Sequence, residues 1–375
     1  VRVLHEVEEI DAAGGRVQVR DLKSGVSEWE SYDQLLIATG AVPLCPHLPG
    51  SDAVDICGIN TLESGLELRR RLDSGAIKKG VVVGGGYIGL EMAEAMVKHG
   101  LEVSLVDRSA QVMGTLDDDM GALVSQALRD FGVTVHLEES LAEFQTAAGK
   151  VTGIVTDKRT LPADIVILGL GVVPNTALAV AAGIPLGEKG AIRVNERMET
   201  GIAGIWAAGD CAESFHLVSR KPFYIALGTV ANRHGRVAGI NLGGGYATFP
   251  GVVGTAITRI CNVEVARTGL QEKELRELGI EWVSAVIKSR TKAGYFPGAG
   301  EITVKVLAER GSGRLLGGQI VGMEGSAKRI DTLATALHAG FTVEEMINLD
   351  LGYAPPFSPV WDPVVTAARE AAKKL

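Results

Sequence analysis

Apolar and polar positions fall into three regimes along the chain. Near the start they alternate: Arg16-Val17-Gln18-Val19-Arg20-Asp21, a Lys23-Ser24-Gly25 turn, then Val26-Ser27-Glu28-Trp29. A period of two on either side of a glycine turn predicts a β-hairpin. The run Gln34-Leu35-Leu36-Ile37-Ala38 predicts a buried strand that stops at Thr39-Gly40. Pro43, Pro46, Pro49 and Gly50 then mark a connector leaving one domain.

In the second regime the period lengthens to that of a helix over 61–72, and strands and helices begin to alternate. Val81-Val82-Val83 predicts a strand, 88–99 a helix, 103–106 a strand and 120–130 a helix, with further strands over 153–156 and 164–168. This βαβ order calls for a parallel sheet covered on both faces. A short strand at 205–207 leads to Gly209-Asp210, a helix is predicted over 229–240, and Gly243-Gly244-Gly245 marks a boundary. The third regime is α+β. Residues 303–307 and 315–321 alternate around Arg310-Gly311-Ser312-Gly313 as a second hairpin, and 326–338 reads as a helix stopped by Gly340. Thr342-Val343-Glu344-Glu345 has the capping-box form that opens another helix.

Composition narrows the class. Glycine counts 48 of 375 residues, about 13% against a usual share of about 7%, which fits many tight strand-to-helix turns. A net charge of -8 argues against nucleic acid held on a basic face. No apolar run approaches the roughly 20 residues of a membrane helix. Cys45, Cys57, Cys211 and Cys261 lie far apart with no C-x-x-C, so neither a zinc site nor a disulfide scaffold is expected, and the reducing cytoplasm is the expected compartment. Each cysteine reads as a small buried hydrophobe. The seven histidines share no metal-type spacing, so no metal is expected. Glu272-Lys273-Glu274 and Lys373-Lys374 read as solvated helix faces.

The strongest chemical signal is Val81-Val82-Val83-Gly84-Gly85-Gly86-Tyr87-Ile88-Gly89, with Asp107 ending the next strand 23 positions after Gly84. Gly84 permits the tight turn, Gly86 lets backbone N–H groups approach a pyrophosphate, and Gly89 lets helix pack on strand. Asp107 can accept hydrogen bonds from both ribose hydroxyls and repels a 2′-phosphate, favouring NADH; Arg108 beside it leaves NADPH open. A second signal is Thr200-Gly201-Ile202-Ala203-Gly204-Ile205-Trp206-Ala207-Ala208-Gly209-Asp210, an acid at a strand's carboxyl end.

Taken in order, Ala38-Thr39-Gly40, the Gly84–Gly89 turn with its acid, Gly171-Val172-Val173-Pro174-Asn175 and the segment ending in Asp210 resemble the pyridine nucleotide–disulfide oxidoreductases. Gly209-Asp210-Cys211-Ala212-Glu213 and Ala231-Asn232-Arg233-His234-Gly235-Arg236 resemble the family's returning FAD-domain segment. Tyr353-Ala354-Pro355-Pro356-Phe357-Ser358 with Asp362-Pro363 is similar to the branch of coenzyme A-disulfide reductases, NADH oxidases, NADH peroxidases and persulfide or polysulfide reductases.

The resemblance implies an α/β fold of two Rossmann-like FAD/NAD-type domains and a C-terminal α+β dimerisation domain. FAD would be bound by 1–60 and 172–249, NAD by 61–171, and a two-fold homodimer would form through 250–375. It further implies that Asp210 bonds the FAD ribitol, that Leu227 and Gly228 lie near the flavin ring, and that Thr39 and Gly40 approach the FAD phosphates or ribose. Tyr87 would gate the nicotinamide pocket, Ile88 and Glu91 would flank the nicotinamide, and Gly171 would close over the NAD. Tyr295 and Tyr353 match a tyrosine pair directed at the partner subunit's active site, and Asn232 a position near the substrate.

Two departures stand out. The family's first glycine turn and redox cysteine would precede Val1, so the FAD domain is expected to lack its N-terminal part and the gene product to begin upstream. Trp361 stands where coenzyme A-disulfide reductases carry a lysine for the coenzyme. The implied activity is transfer of electrons from NADH through FAD and a cysteine to a disulfide, persulfide or polysulfide. The alternatives are reduction of dioxygen or peroxide, and a redox-inactive NADH-binding dimerising fragment.

Overall fold

Val81, Val82 and Val83 lie at the centre of a five-stranded parallel sheet in the computed structural model, which describes residues 1–375. Its strands run in the order Ile56–Gly58, Ile165–Leu168, Lys79–Val83, Glu102–Val106 and Val133–His136. All neighbouring pairs are parallel. Alternate residues point to opposite faces. Val81, Val83, Val166 and Leu168 pack with Phe144, Val151 and Ile154 of a three-stranded antiparallel sheet, Leu141–Ala147, Lys150–Thr156 and Thr160–Pro162. On the other face, Val82, Leu105, Ile165 and Ile167 meet Leu90, Ala93 and Met96 of helix Tyr87–Lys98 and Val124 and Leu128 of helix Asp118–Asp130. Strand order reverses beside Lys79–Val83, which puts Gly84 and Gly169 at a topological switch point.

The same core continues into Ile260, Cys261, Val265 and Val321 of a five-stranded antiparallel sheet. That sheet runs Ala256–Ile260, Val263–Gly269, Leu315–Gly322, Glu301–Glu309 and Trp282–Arg290. Residues 43–171 and 253–375 therefore form one unit, and residues 1–42 with 172–252 form another. In the smaller unit, Leu35–Ile37 pairs in parallel with Ile205–Ala207. Ile205 and Ala207 face a core with Ile10, Ile37 and Ile192, while Trp206 and Ala208 face Val230 and Val237 of helix Gly228–Leu242.

A buried ionic cluster crosses the larger unit. Lys305, only 3% exposed, sits 3.0 Å from Asp117, 2.9 Å from Asp119 and 2.9 Å from Glu272. Asp117 precedes helix Asp118–Asp130, and its backbone N–H and carboxylate bond the buried Gln319 side chain, each at 2.8 Å. Its other carboxylate oxygen accepts the Glu272 backbone N–H at 2.8 Å. Burial alone would lower the Lys305 pKa, but hydrogen bonds from the ammonium to Glu272, Asp119 and Asp117 outweigh it and hold the group charged, above the usual lysine range.

The structure departs from the sequence reading in several places. Strand His5–Asp11 adds to the predicted hairpin as a third strand; it is exposed along most of its length, so no apolar alternation announces it. The predicted helix at 326–338 divides into a 3₁₀ turn, Ala327–Arg329, and helix Ile330–Ala339. Cys45 is exposed and Cys57 only partly buried, so neither is the expected small core residue. Cys211 is buried, its thiol donating to the carbonyls of Ile37 at 3.5 Å and Ala208 at 3.4 Å. Cys261 is buried too, in the turn between two strands at φ +54°. Glu272 and Glu274 are not solvated bystanders: Glu272 pairs with Lys305, and Glu274 accepts the Gln271 backbone N–H at 2.9 Å. Lys373 and Lys374 are exposed, as the sequence reading has them, and Lys374 also donates to the Ser284 carbonyl at 2.7 Å.

Replacing Lys305 with methionine strands Asp117 in the interior without its countercharge. Urea unfolding of Lys305→Met is expected to show a loss of about 3–5 kcal/mol, the usual result of removing one partner from a buried ion pair. A loss under about 1 kcal/mol would mean that the cluster does not hold the unit together.

Candidate nucleotide sites

The glycine turn of the larger unit is built by close backbone approach. Gly84 has φ +100°, and a Cβ there would sit 2.5 Å from the Gly169 carbonyl oxygen. A Cβ on Gly89 would lie 2.0 Å from the Gly84 carbonyl oxygen, so any side chain would force helix from strand. Gly86 is the N-cap of helix Tyr87–Lys98 and supplies no capping side chain. A Cβ there would meet nothing closer than 3.7 Å, which leaves the first-turn N–H groups approachable by an anion.

Asp107 closes this turn. One carboxylate oxygen accepts the Gly85 N–H at 2.6 Å and the other the Ser109 N–H at 2.7 Å. The loop after it returns to the turn through Met113 N–H to the Gly85 carbonyl, 2.7 Å. In the same loop the Thr115 hydroxyl lies 3.5 Å from the Tyr87 hydroxyl, and burial raises the Tyr87 pKa. Ile88 is half-buried, Arg108 is exposed, and Gly171 is exposed with φ +88°. The Glu91 carboxylate accepts a hydrogen bond from Thr258 at 2.7 Å. Gly84, Gly86, Tyr87, Ile88, Gly89 and Asp107 thus gather at one sheet edge.

In the smaller unit, Thr39-Gly40 and Gly209-Asp210 leave the carboxyl ends of two adjacent parallel strands. Thr39 donates to the Asn175 carbonyl at 2.6 Å, and the Asn175 backbone N–H donates to the Gly40 carbonyl at 2.9 Å. Asn175, which sequence reading quoted without a role, thus holds the Thr39-Gly40 turn across 136 positions. A Cβ on Gly209 would lie 3.7 Å from that of Ala231, which brings the Asp210 turn beside the start of helix Gly228–Leu242. Leu227 is the N-cap there, again without a capping side chain, and Asn232 bonds the Gly228 carbonyl at 3.1 Å.

Asp210 is the electrostatic anomaly of this unit. Its Oδ1 is buried with no hydrogen-bond partner, and desolvation raises its pKa. Tyr224, which sequence reading also missed, donates to the Asp210 main-chain carbonyl at 2.9 Å. Burial, then the nearby Asp210 and Cys211, push the Tyr224 phenol up to about 12.

A chain with these two glycine-built edges matches the pyridine nucleotide-disulphide oxidoreductase model over residues 1–235, and the dimerisation domain of the same enzymes over residues 255–364. The chain belongs to the pyridine nucleotide-disulphide oxidoreductase family. This family is FAD- and NAD(P)H-dependent. The chain is 37% identical over 365 residues to an NAD(P)H sulfur oxidoreductase (CoA-dependent) of Pyrococcus furiosus, covering 97% of this chain and 81% of that one. It is 36% identical over 377 residues to an NADH oxidase of Methanocaldococcus jannaschii, covering 100% and 84%. A solved NAD-dependent persulfide reductase from A. fulgidus superposes with a TM-score of 0.95 at 38% identity, covering 99% of this chain and 68% of that one. The protein is an oxidoreductase of the disulfide reductase type, with the mixed α/β fold expected of it. No helix is long and apolar enough to cross a membrane.

The residues present fit both cofactors of this oxidoreductase family. The orphaned Asp210 oxygen lacks the donor that a ribitol hydroxyl would bring, and the side-chain-free Gly86 cap leaves N–H groups for a pyrophosphate. On the C-terminal part, the Tyr295 and Tyr353 phenols face one another: hydrogen bonding to Tyr295, then desolvation and the Tyr295 charge, raise the Tyr353 pKa. Both are exposed, as are Phe357, Val360 and Trp361. The Arg369 guanidinium stands 4.5 Å above the Trp361 ring, so a cation accompanies the residue that replaces the expected lysine.

Two residues beyond Asn232, the buried His234 ring has its Nε2 3.1 Å from the Ser214 hydroxyl and packs edge-on to Phe249. Burial lowers its pKa from 6.5 to about 4. The unfolded chain then binds a proton that the folded chain refuses between these values. Stability should therefore fall as pH drops from 6.5, by about 3 kcal/mol at pH 4 from this group. Urea unfolding across that range should show the slope reduced by one proton in His234→Gln; an unchanged slope would refute the assignment.

Proposed function

We propose that the protein uses NADH to reduce a sulfur acceptor, a disulfide, persulfide or polysulfide of the coenzyme A type. For a disulfide the balance is RSSR + NADH + H⁺ → 2 RSH + NAD⁺. FAD, when bound, would supply the two-electron relay from the nicotinamide, and a redox cysteine would pass the pair on to the acceptor sulfur. In this reading FAD is bound by 1–60 and 172–249, NAD by 61–171, and a homodimer in the cytoplasm forms through 250–375. Asp107 holds the adenosine ribose and disfavours a 2′-phosphate, while the N–H groups after Gly86 hold the pyrophosphate. Tyr87 covers the nicotinamide pocket, with Ile88, Glu91 and Gly171 around it. Thr39 and Gly40 meet the FAD phosphates or ribose, Asp210 meets the ribitol, and Leu227 and Gly228 border the flavin ring. Asn232, Tyr295 and Tyr353 serve the acceptor end.

The observation that carries the sulfur reading is that Tyr295 and Tyr353, two exposed phenols able to donate to a thiolate leaving group, stand on segments joined by a hydrogen bond from the Ala293 N–H to the Pro355 carbonyl at 3.1 Å. The names of the Pyrococcus and A. fulgidus relatives point the same way. The four thiols here are poor candidates for the redox cysteine. Burial raises the pKa of Cys57, and that of Cys261 to about 11; Cys211 is sealed in the core, and Cys45 lies on the proline connector.

The deciding experiment is anaerobic reduction of the FAD-loaded protein by NADH, followed by coenzyme A disulfide or a persulfide. The flavin absorbance should bleach with NADH and recover with the sulfur acceptor. Asp210→Ala should weaken FAD retention tenfold or more, as expected when a charge-assisted hydrogen bond worth about 1.5–3 kcal/mol is lost. Recovery with dioxygen alone would favour the oxidase reading suggested by the M. jannaschii relative. No flavin uptake together with NADH binding would leave a nucleotide-binding dimerising module.

A further inference from the structure

Exposed aromatic side chains cannot hold each other's positions by packing; their backbones must. Tyr295 is 78% exposed on the loop between strands Trp282–Arg290 and Glu301–Glu309. Tyr353 is 47% exposed on the segment leading into helix Pro363–Ala372. One guanidinium joins these two segments. Arg329 donates through Nη2 to the carbonyl of Thr291 at 2.8 Å and to that of Phe357 at 2.8 Å. Its Nε donates to Asp362 Oδ2 at 3.0 Å, and its Nη1 to the Gly325 carbonyl.

Two anchors of this fork, Thr291 and Asp362, are themselves fixed. Thr291 is 1% exposed and closes its loop through backbone and side-chain bonds to Gly300, at 2.9 and 3.1 Å. Asp362 accepts from the Ser358 hydroxyl at 3.1 Å and caps the following helix through the Val364 N–H at 2.9 Å. The segments also meet directly, Ala293 N–H to the Pro355 carbonyl at 3.1 Å. The Arg329 and Asp362 side chains are 12% and 15% exposed, so water competes little for the ion pair.

We infer that Arg329 is a positioning residue for the acceptor end of the reaction, its planar fork setting the spacing of Tyr295 and Tyr353. The inference rests on the proposed role of those two phenols. Only an arginine supplies donors in a fixed plane to three carbonyls and a carboxylate at once; a lysine offers one nitrogen and cannot span them. The raised pKa of Tyr353 reports the spacing, since it arises first from the Tyr295 hydroxyl.

The test compares Arg329→Gln, Arg329→Lys and Asp362→Asn with the parent, using the FAD-loaded protein. Phenolate absorbance is titrated as the difference between each protein and its Tyr353→Phe counterpart, which isolates Tyr353. In Arg329→Gln the Tyr353 titration should move down toward the ordinary phenol value. The KM for coenzyme A disulfide should rise about tenfold, the KM for NADH should stay within twofold, and Arg329→Lys should not restore the parent behaviour. Asp362→Asn keeps a good helix cap and only weakens the anchor, so it carries the test if Arg329→Gln does not fold. An unshifted Tyr353 titration in folded variants overturns the inference. A shifted titration with an unchanged acceptor KM, and with Tyr295→Phe and Tyr353→Phe equally silent, upholds the clasp on the loops and refutes the role given to the phenols.

Discussion

The ammonium of Lys305 is the charge around which the larger unit is arranged. It rises from strand Glu301–Glu309 of the antiparallel sheet and is met by Asp117 and Asp119, which belong to the parallel-sheet part of the chain almost 190 residues earlier. Buried charge is costly unless every partner is in place, so this cluster penalises any register other than the native one more than an apolar contact of the same size would. Asp117 also ends the loop that begins at Asp107 and passes Thr115, beside the Tyr87 hydroxyl. The loop from Asp107 to Asp117 is therefore held at both ends, by the glycine turn at one and by the Lys305–Gln319 cluster at the other.

The two nucleotide edges use one physical device in different ways. At Gly84 and Gly89 the absence of a side chain allows backbones to touch, which places N–H groups where an anion can reach them. At Asp210 the device is deprivation: a carboxylate oxygen is buried with no donor, so the site favours a ligand that brings one. Tyr295 and Tyr353 are exposed, and the segments that carry them are tied by the Ala293–Pro355 backbone hydrogen bond and by the Arg329 guanidinium.

Much of this was legible in the chain. The alternation around Val81 and the helical period after Tyr87 located strand and helix to within two residues at either end, because apolar spacing responds directly to which face is buried. The glycine spacing located the tight strand-to-helix turn that Asp107 closes for the same local reason. Strand His5–Asp11 was not legible, since an exposed strand needs no apolar alternation. Nor were Asn175 and Tyr224, whose parts are backbone hydrogen bonds that many residue types could make.

What the sequence by itself determined is whatever depends on neighbours in the chain: element type, the turn at Gly84–Gly89, the capping box at Thr342, and the family to which the ordered motifs belong. The tertiary structure alone decided which charges are buried and what they meet. Glu272-Lys273-Glu274 looks like any solvated helix face, yet Glu272 becomes a ligand of a buried lysine. Cys45 looks like any small apolar residue, yet stands exposed on its connector. Solvation and countercharge are set by segments hundreds of residues apart, and local pattern carries no record of them.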